Sequence, residues 1–233
     1  MNPLLLPVVF AQGRWLRSTM RMAPAAEGPA SGSVPGSSGP AVRVAVVGDS
    51  TAAGCGVRSN DEGFAAALAA ELVRSTGRTV EWSAVGQFGA TARRVRHRLL
   101  PRLGEGIDVV VVLAGANDVL AGRGPAQWRD DVAGILTDLA GRAGRVVVTG
   151  IPPFALFPSL PAPLGRYLGE RAAALDAVSR EVCARSPGRA TWIGTTGTPP
   201  PGFFAADRFH PSAAGYRYWA GVVARHIDLA LKE

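Results

Sequence analysis

"VRVAVVGDST", residues 42–51, decides the fold. Its nearly unbroken valine run has the length and β-branching of a strand covered on both faces, and it ends at Gly48 in a small polar turn carrying one hydroxyl, Ser50. "DVVVVLAG" (108–115) and "RVVVTGI" (145–151) are runs of the same kind. The strand candidates are Val42–Val47, Thr79–Val85, Asp108–Ala114 and Arg145–Ile151, with a weaker fifth at Ala190–Ile193. Helical segments near 62–76, 91–101, 125–142, 163–185 and 211–231 alternate with them. This β-α alternation predicts a parallel sheet between two helix layers, with functional groups gathered in loops at the carboxyl ends of the strands.

A chain of 233 residues fits one domain of ordinary size. With 47% hydrophobic and 18% charged residues it is not globally disordered, and no apolar stretch approaches the ~20 residues of a membrane-spanning helix. The formal charge of +7 comes from arginine, since Lys232 is the sole lysine. Its densest run is Arg93, Arg94, Arg96, Arg98 and Arg102, with His97 among them. That run reads as a solvated helix face; it lacks the interleaved aromatics of a single-strand binder, and no nucleic acid partner is expected. Cys55 and Cys183 have no neighbours at metal-ligand spacing, so they read as buried thiols and no metal is expected.

Composition divides the chain into an apolar and basic segment (1–23), a Pro/Gly/Ser-rich stretch read as a flexible linker (24–40) and a catalytic-type domain (41–233). In "MNPLLLPVVFAQGRWLRSTMR" the apolar run precedes Arg14, Arg17 and Arg21, the reverse of a secretory signal. Two readings stay open for residues 1–21: peripheral contact with a membrane interface, or docking on the domain. A cytoplasmic or peripheral-membrane location is favoured over secretion.

Ser50 does not belong to a phosphate loop, because GxxxxGK[ST] would need Gly and Lys where Ala53 and Gly54 stand. A dinucleotide fingerprint from Gly54 and Gly56 would need a third glycine at Ser59. Alone, "GDST" fits a helix cap as well as a nucleophile. Near the other end, "ADRFHPSAAG" (206–215) holds His210, the one histidine of three in a loop; Asp207, three residues earlier, can turn back to orient its imidazole. Ester chemistry at a serine also needs donors for the oxyanion, each typically worth ~2.7–4 kcal/mol. Gly89 in "AVGQFGATA" and Asn117 in "LAGANDV" supply a backbone N–H and a neutral amide in the loops after the second and third strands. Asp49 and Asp118, flanking these, read as structural carboxylates at helix starts.

GDS after strand one, a glycine loop after strand two, GxND after strand three and DxxH before the last helix occur in this order. The set resembles the SGNH/GDSL hydrolase family over residues 42–231. The resemblance implies Ser50 as nucleophile, His210 as general base and Asp207 as its orienting acid. The oxyanion hole would comprise the Ser50 and Gly89 N–H groups and the Asn117 side chain. It further implies a three-layer α/β/α, flavodoxin-like parallel five-stranded sheet and no metal or organic cofactor. The expected activity is hydrolysis of a small-molecule or lipid carboxylic ester through an acyl-serine. The alternatives are acyl transfer to, or deacetylation of, a sugar or other alcohol, and a non-catalytic membrane-associated binding module. "GDSTA" is also one residue from the GxSxG elbow of α/β-hydrolases, but the short Asp207–His210 spacing and the position of the serine after the first strand make that the lesser reading. "IPPFALFPSLPAPLG" (151–165) reads either as the lining of an acyl pocket or as a rigid covering loop.

Overall fold

The computed structural model describes residues 3–231 apart from 187 and 196; residues 1, 2, 232 and 233 of the two terminal segments lie outside the described residues. Among the described residues one sheet is built from β1 (Ser31–Val34), β2 (Val42–Gly48), β3 (Val80–Gly86), β4 (Ile107–Leu113), β5 (Ala143–Thr149) and β6 (Ala190–Ile193). The strand order is β1-β3-β2-β4-β5-β6. Strands β2 to β6 pair in parallel, in register Val44 with Val109 and Val110 with Val146, whereas β1 runs antiparallel to β3.

The expected flavodoxin-like parallel five-stranded sheet is therefore corrected to a six-stranded mixed sheet within a three-layer α/β/α architecture. The additional strand comes from the stretch 24–40, whose composition had suggested a flexible linker. Residues 31–34 are Ser-Gly-Ser-Val at an exposed edge, with no apolar face to betray a strand. Backbone pairing holds them instead. Ala84 N–H donates to Ala30 O (2.7 Å), Gly36 N–H to Thr79 Oγ1 (3.0 Å), and the N–H groups of Ser37 and Ser38 to Gly77 O (2.9 Å each).

Alternation along the central strands assigns the two cores. Ala45, Val47, Val110 and Val112 face one side, against α1 (Leu6–Thr19), the helical turn of α2 (Ala92–Arg94), α3 (Pro125–Leu139) and α4 (Ala162–Ala184). Val44, Val46, Val109 and Val111 face the other, against α5 (Phe64–Thr76) and α6 (Ala213–Leu231). Each buried valine contributes about 1.5–3 kcal/mol relative to an exposed one. The continuous valine runs thus reflect a sheet covered on both faces. Trp128 of α3 is buried and donates from Nε1 to Ser179 Oγ of α4 at 2.9 Å, joining two helices of the first layer.

The expected helix over 91–101 is present in three geometries: α2, a π-helical segment Val95–Leu99 and a 3-10 turn Leu100–Arg102. Arg96 leaves the basic run to bond Asp138 of α3 (Nε to Oδ2, 2.8 Å), while Arg93, Arg94, Arg98 and Arg102 are exposed. Helix α1 docks on the domain through buried Val9 and Leu16, and Gln12 Oε1 accepts the Leu164 N–H in the first turn of α4 (3.2 Å). Among the described residues no helix is long and apolar enough to cross a membrane.

Candidate active site

Ser50 stands two residues beyond the end of β2, where the chain can no longer pair as a strand and turns across the sheet edge. Cys55 N–H returns to Ser50 O (2.9 Å), Ala53 N–H returns to Asp49 O (3.1 Å), and Tyr216 of α6 donates its buried hydroxyl to Cys55 O (2.7 Å). Asp49 stiffens the start of this turn. Its Oδ1 accepts both the N–H (2.9 Å) and the hydroxyl (2.8 Å) of Thr51. Burial pushes the Asp49 carboxyl up, opposed by those Thr51 bonds and by the field of His210.

The second contributor arrives from the far end of the chain. His210 is 2% exposed and lies in the turn before α6, with Nε2 2.9 Å from Ser50 Oγ and Nδ1 2.6 Å from Asp207 Oδ2. Asp207 is itself held on both oxygens. Oδ1 accepts the N–H groups of Phe209 (3.0 Å) and His210 (2.9 Å), and Oδ2 also accepts the Ala23 N–H (3.0 Å). Arg208, with φ 56°, is the non-glycine residue in the left-handed region that folds this turn tightly enough for the three-residue spacing. Burial opposes ionisation of Asp207, but the bond from the His210 ring and the three backbone donors outweigh it and hold its carboxyl below the usual range. An ionised carboxylate on Nδ1 favours the imidazole tautomer whose Nε2 accepts a proton.

Of the two glycines at and beyond the end of β3, Gly86 is required by packing, since a Cβ there would fall 2.1 Å from Ala53 N. Gly89 is required by its φ of 72°, and a Cβ there would meet nothing within 4 Å. The Asn117 amide donates to Ala90 O (3.1 Å), which places it beside the Gly89 turn; its 3.5 Å approach to Asp49 Oδ2 is long for a hydrogen bond. The loops after β2, β3 and β4 and the turn before α6 thus converge at the carboxyl edge of the sheet.

A cavity of about 100 Å³ opens beside Ser50 and His210, its wall almost wholly apolar: Pro153, Phe157, Phe203, Phe204, Phe209 and Trp219. Of the 151–165 stretch, Pro152, Pro153 and Phe157 line this cavity while Phe154 is buried in the core. Cys55 and Cys183 are buried and unpaired, each thiol pushed up to about 11, in both cases chiefly by burial. Among the described residues no group of His, Cys, Asp or Glu side chains is arranged to hold a metal. Two contributors escaped the sequence reading, the Tyr216 hydroxyl and the Ala23 N–H. The first resembles any core tyrosine in sequence, and the second is a backbone group with no residue-type signal.

Asp118 is fully buried beside this edge. It accepts the Ala92 N–H (2.9 Å) and lies 3.0 Å from Arg123 Nε, and Arg123 also pairs with Asp131. Burial pushes its carboxyl from 3.8 up to about 6, with the Ala92 and Arg123 interactions opposing. A carboxyl with a folded-state pKa above its unfolded value stabilises the fold most at low pH, and that contribution is lost as pH rises from about 4 through 6. Asp118→Asn removes the titration. Its stability relative to wild type should therefore improve by on the order of 3 kcal/mol between pH 4 and pH 7, read from urea unfolding at each pH. An unchanged difference would refute the assignment.

The model of the GDSL-like lipase/acylhydrolase family matches residues 46–218. A GDSL-like esterase of Mycobacterium tuberculosis is 30% identical over 201 residues, 82% of this chain and 63% of that protein, so the chain spans less than two thirds of this relative's length. The crystal structure of TesA superposes with a TM-score of 0.62 at 24% identity, covering 81% of this chain and 99% of that one. The inhibitor-bound aryl esterase of M. smegmatis superposes with a TM-score of 0.60 at 19% identity, covering 81% and 99%. These two likenesses are of fold. The family match, which runs from Val46 near the end of β2 into the start of α6 and spans Ser50, Asn117, Asp207 and His210, makes the chain a member of the GDSL-like lipase/acylhydrolase family.

Proposed function

We propose that the protein is a serine esterase that cleaves carboxylic esters through an acyl-serine intermediate. The observation that carries this reading is the unbroken chain Ser50 Oγ, His210 Nε2, His210 Nδ1, Asp207 Oδ2, at 2.9 and 2.6 Å across its two hydrogen bonds. His210 takes the Ser50 proton as Oγ attacks the ester carbonyl, and the resulting imidazolium is stabilised by Asp207. The oxyanion is held by the N–H groups of Ser50 and Gly89 and by the Asn117 amide. His210 then protonates the departing alcohol. It next deprotonates a water that attacks the acyl-serine, and returns that proton to Ser50 Oγ as the acid is released. Asn117→Ala should lower kcat about 100-fold with little change in KM, because the oxyanion exists only along the reaction path. An effect confined to KM would contradict that role.

The cavity is smaller than the roughly 150 Å³ void that takes benzene in a well-studied engineered protein. It suits a short acyl chain. A series of chromogenic esters from acetyl to palmitoyl tests the reading: turnover should be highest for the shortest acyl groups and fall beyond about six carbons, given room for only a few methylenes. Absence of hydrolysis across the whole series would sink the esterase proposal.

Peripheral membrane contact through α1 and its flanks is a second proposal, resting on the face that points away from α4. Leu4, Phe10 and Trp15 are 82, 67 and 57% exposed, beside Arg14 and Arg17. Apolar side chains next to arginines match the interface of an anionic bilayer. The protein should co-sediment with vesicles containing phosphatidylserine, and Phe10→Ser with Trp15→Ser should abolish this. Equal recovery with and without vesicles would refute it.

A further inference from the structure

Residues 23–28 precede the region matched by the family model, yet they touch both halves of the site. Ala23 donates its N–H to Asp207 Oδ2 at 3.0 Å, the same oxygen that receives His210 Nδ1. Three residues on, Ala26 N–H donates to Ala53 O and Glu27 N–H to Arg58 O, both at 3.0 Å and both in the loop that follows Ser50. Asn60 closes the contact. Its N–H donates to Glu27 O (3.0 Å), and its side-chain amide to Glu27 O (3.2 Å) and Gly28 O (3.1 Å). Upstream the segment is anchored by α1, through Val9, Leu16 and the bond between Gln12 and Leu164. Downstream it is anchored by β1 on the sheet edge. It is a strap fastened at both ends that bridges the serine loop and the turn bearing Asp207 and His210.

The donors on Asp207 divide in an informative way. Oδ1 is fixed by two N–H groups of its own turn, which leaves rotation of the carboxylate plane to be set at Oδ2. That terminal torsion is intrinsically broad. The imidazole N–H alone moves with the ring it is meant to aim, whereas the Ala23 N–H belongs to a segment fixed elsewhere in the fold. We propose that Ala23 is a positioning residue: its backbone N–H fixes the Asp207 carboxylate and, through it, the alignment of His210 Nε2 on Ser50 Oγ. The inference rests on the esterase reading of these three residues and adds to it a backbone contribution from outside the family region.

The test removes one hydrogen-bond donor. Ala23→Pro deletes the donor, and a backbone ester at position 23, with lactate in place of alanine, deletes it without the ring. Each should lower kcat for a short chromogenic ester about tenfold while KM stays within about twofold, since a small displacement of a reacting group falls on the chemical step. Each should also shift the low-field proton resonance of the His210 Nδ1–H bonded to Asp207, whereas Ala23→Gly, which keeps the N–H, leaves that resonance in place. Unchanged kcat and resonance in the ester variant, with wild-type esterase activity present and lost in Ser50→Ala, would overturn the strap proposal and leave the esterase reading standing. Reduced thermal stability alone, with both readouts unchanged, would make the strap merely structural and equally overturn it. A wild-type protein inactive on every ester would instead count against the esterase reading, and the resonance would still report on the Ala23 contact.

Discussion

Ser50→Ala and His210→Ala should each lower kcat for ester hydrolysis by on the order of 10⁵- to 10⁶-fold, and the double variant should be scarcely worse than either single one. Such non-additivity is the mark of two groups acting as one unit: without the base the hydroxyl is a poor nucleophile, and without the hydroxyl the base has nothing to activate. Stability separates the two variants. Ser50→Ala removes one hydroxyl whose partner is His210, so its melting temperature should stay close to wild type. His210→Ala vacates space beside Phe209, whose ring centroid lies 5.3 Å from the imidazole, and leaves the Asp207 Oδ2 short of a donor; it should be less stable by about 1–3 kcal/mol. Steady-state kinetics with urea unfolding of each variant checks both halves. A folded Ser50→Ala protein with residual turnover above one per cent would remove Ser50 from the mechanism.

Asp207→Asn should cost about 10⁴-fold in kcat, and the contacts of Asp207 give the reason. Two N–H groups, of Phe209 and His210, point at Oδ1, so the amide oxygen of the substituted side chain must take that place. The amide nitrogen is then directed at His210 Nδ1 and at the Ala23 N–H. An NH₂ group there donates to Nδ1, which places the ring proton on Nε2, where it cannot accept a proton from Ser50. It also faces the Ala23 donor with a second donor. The loss should therefore exceed that from removing the Ala23 N–H by roughly three orders of magnitude, since the latter leaves the tautomer intact. Nitrogen-15 shifts of the His210 ring would report the tautomer directly. An Asn variant with Nδ1 still protonated and wild-type kcat would show that another group orients the imidazole.

Much of the site was legible because its chemistry needs particular side chains. In the proposed mechanism a serine hydroxyl, an imidazole and a carboxylate cannot be exchanged for other residue types, and neither can the Asn117 amide without losing a neutral donor. The parallel strands were legible for a different reason. A strand covered on both faces must be apolar at nearly every position, and β2, β4 and β5 are valine runs accordingly. Asp49 and Asp118, read as structural, do satisfy backbone N–H groups at loop and helix starts.

What the sequence by itself determined is the set of side chains proposed to carry chemistry and the parallel strands that bring their loops to one edge. Only the tertiary structure decided the sixth, antiparallel strand, the close packing at Gly86, and the strap over Asp207. The reason is common to all three. A Ser-Gly-Ser-Val edge strand is held by main-chain hydrogen bonds, Gly86 is required by the Ala53 backbone that packs on it, and Ala23 acts through its N–H. Every residue except proline carries the same backbone donor, so its use depends on where the chain passes in space and not on which amino acid supplies it.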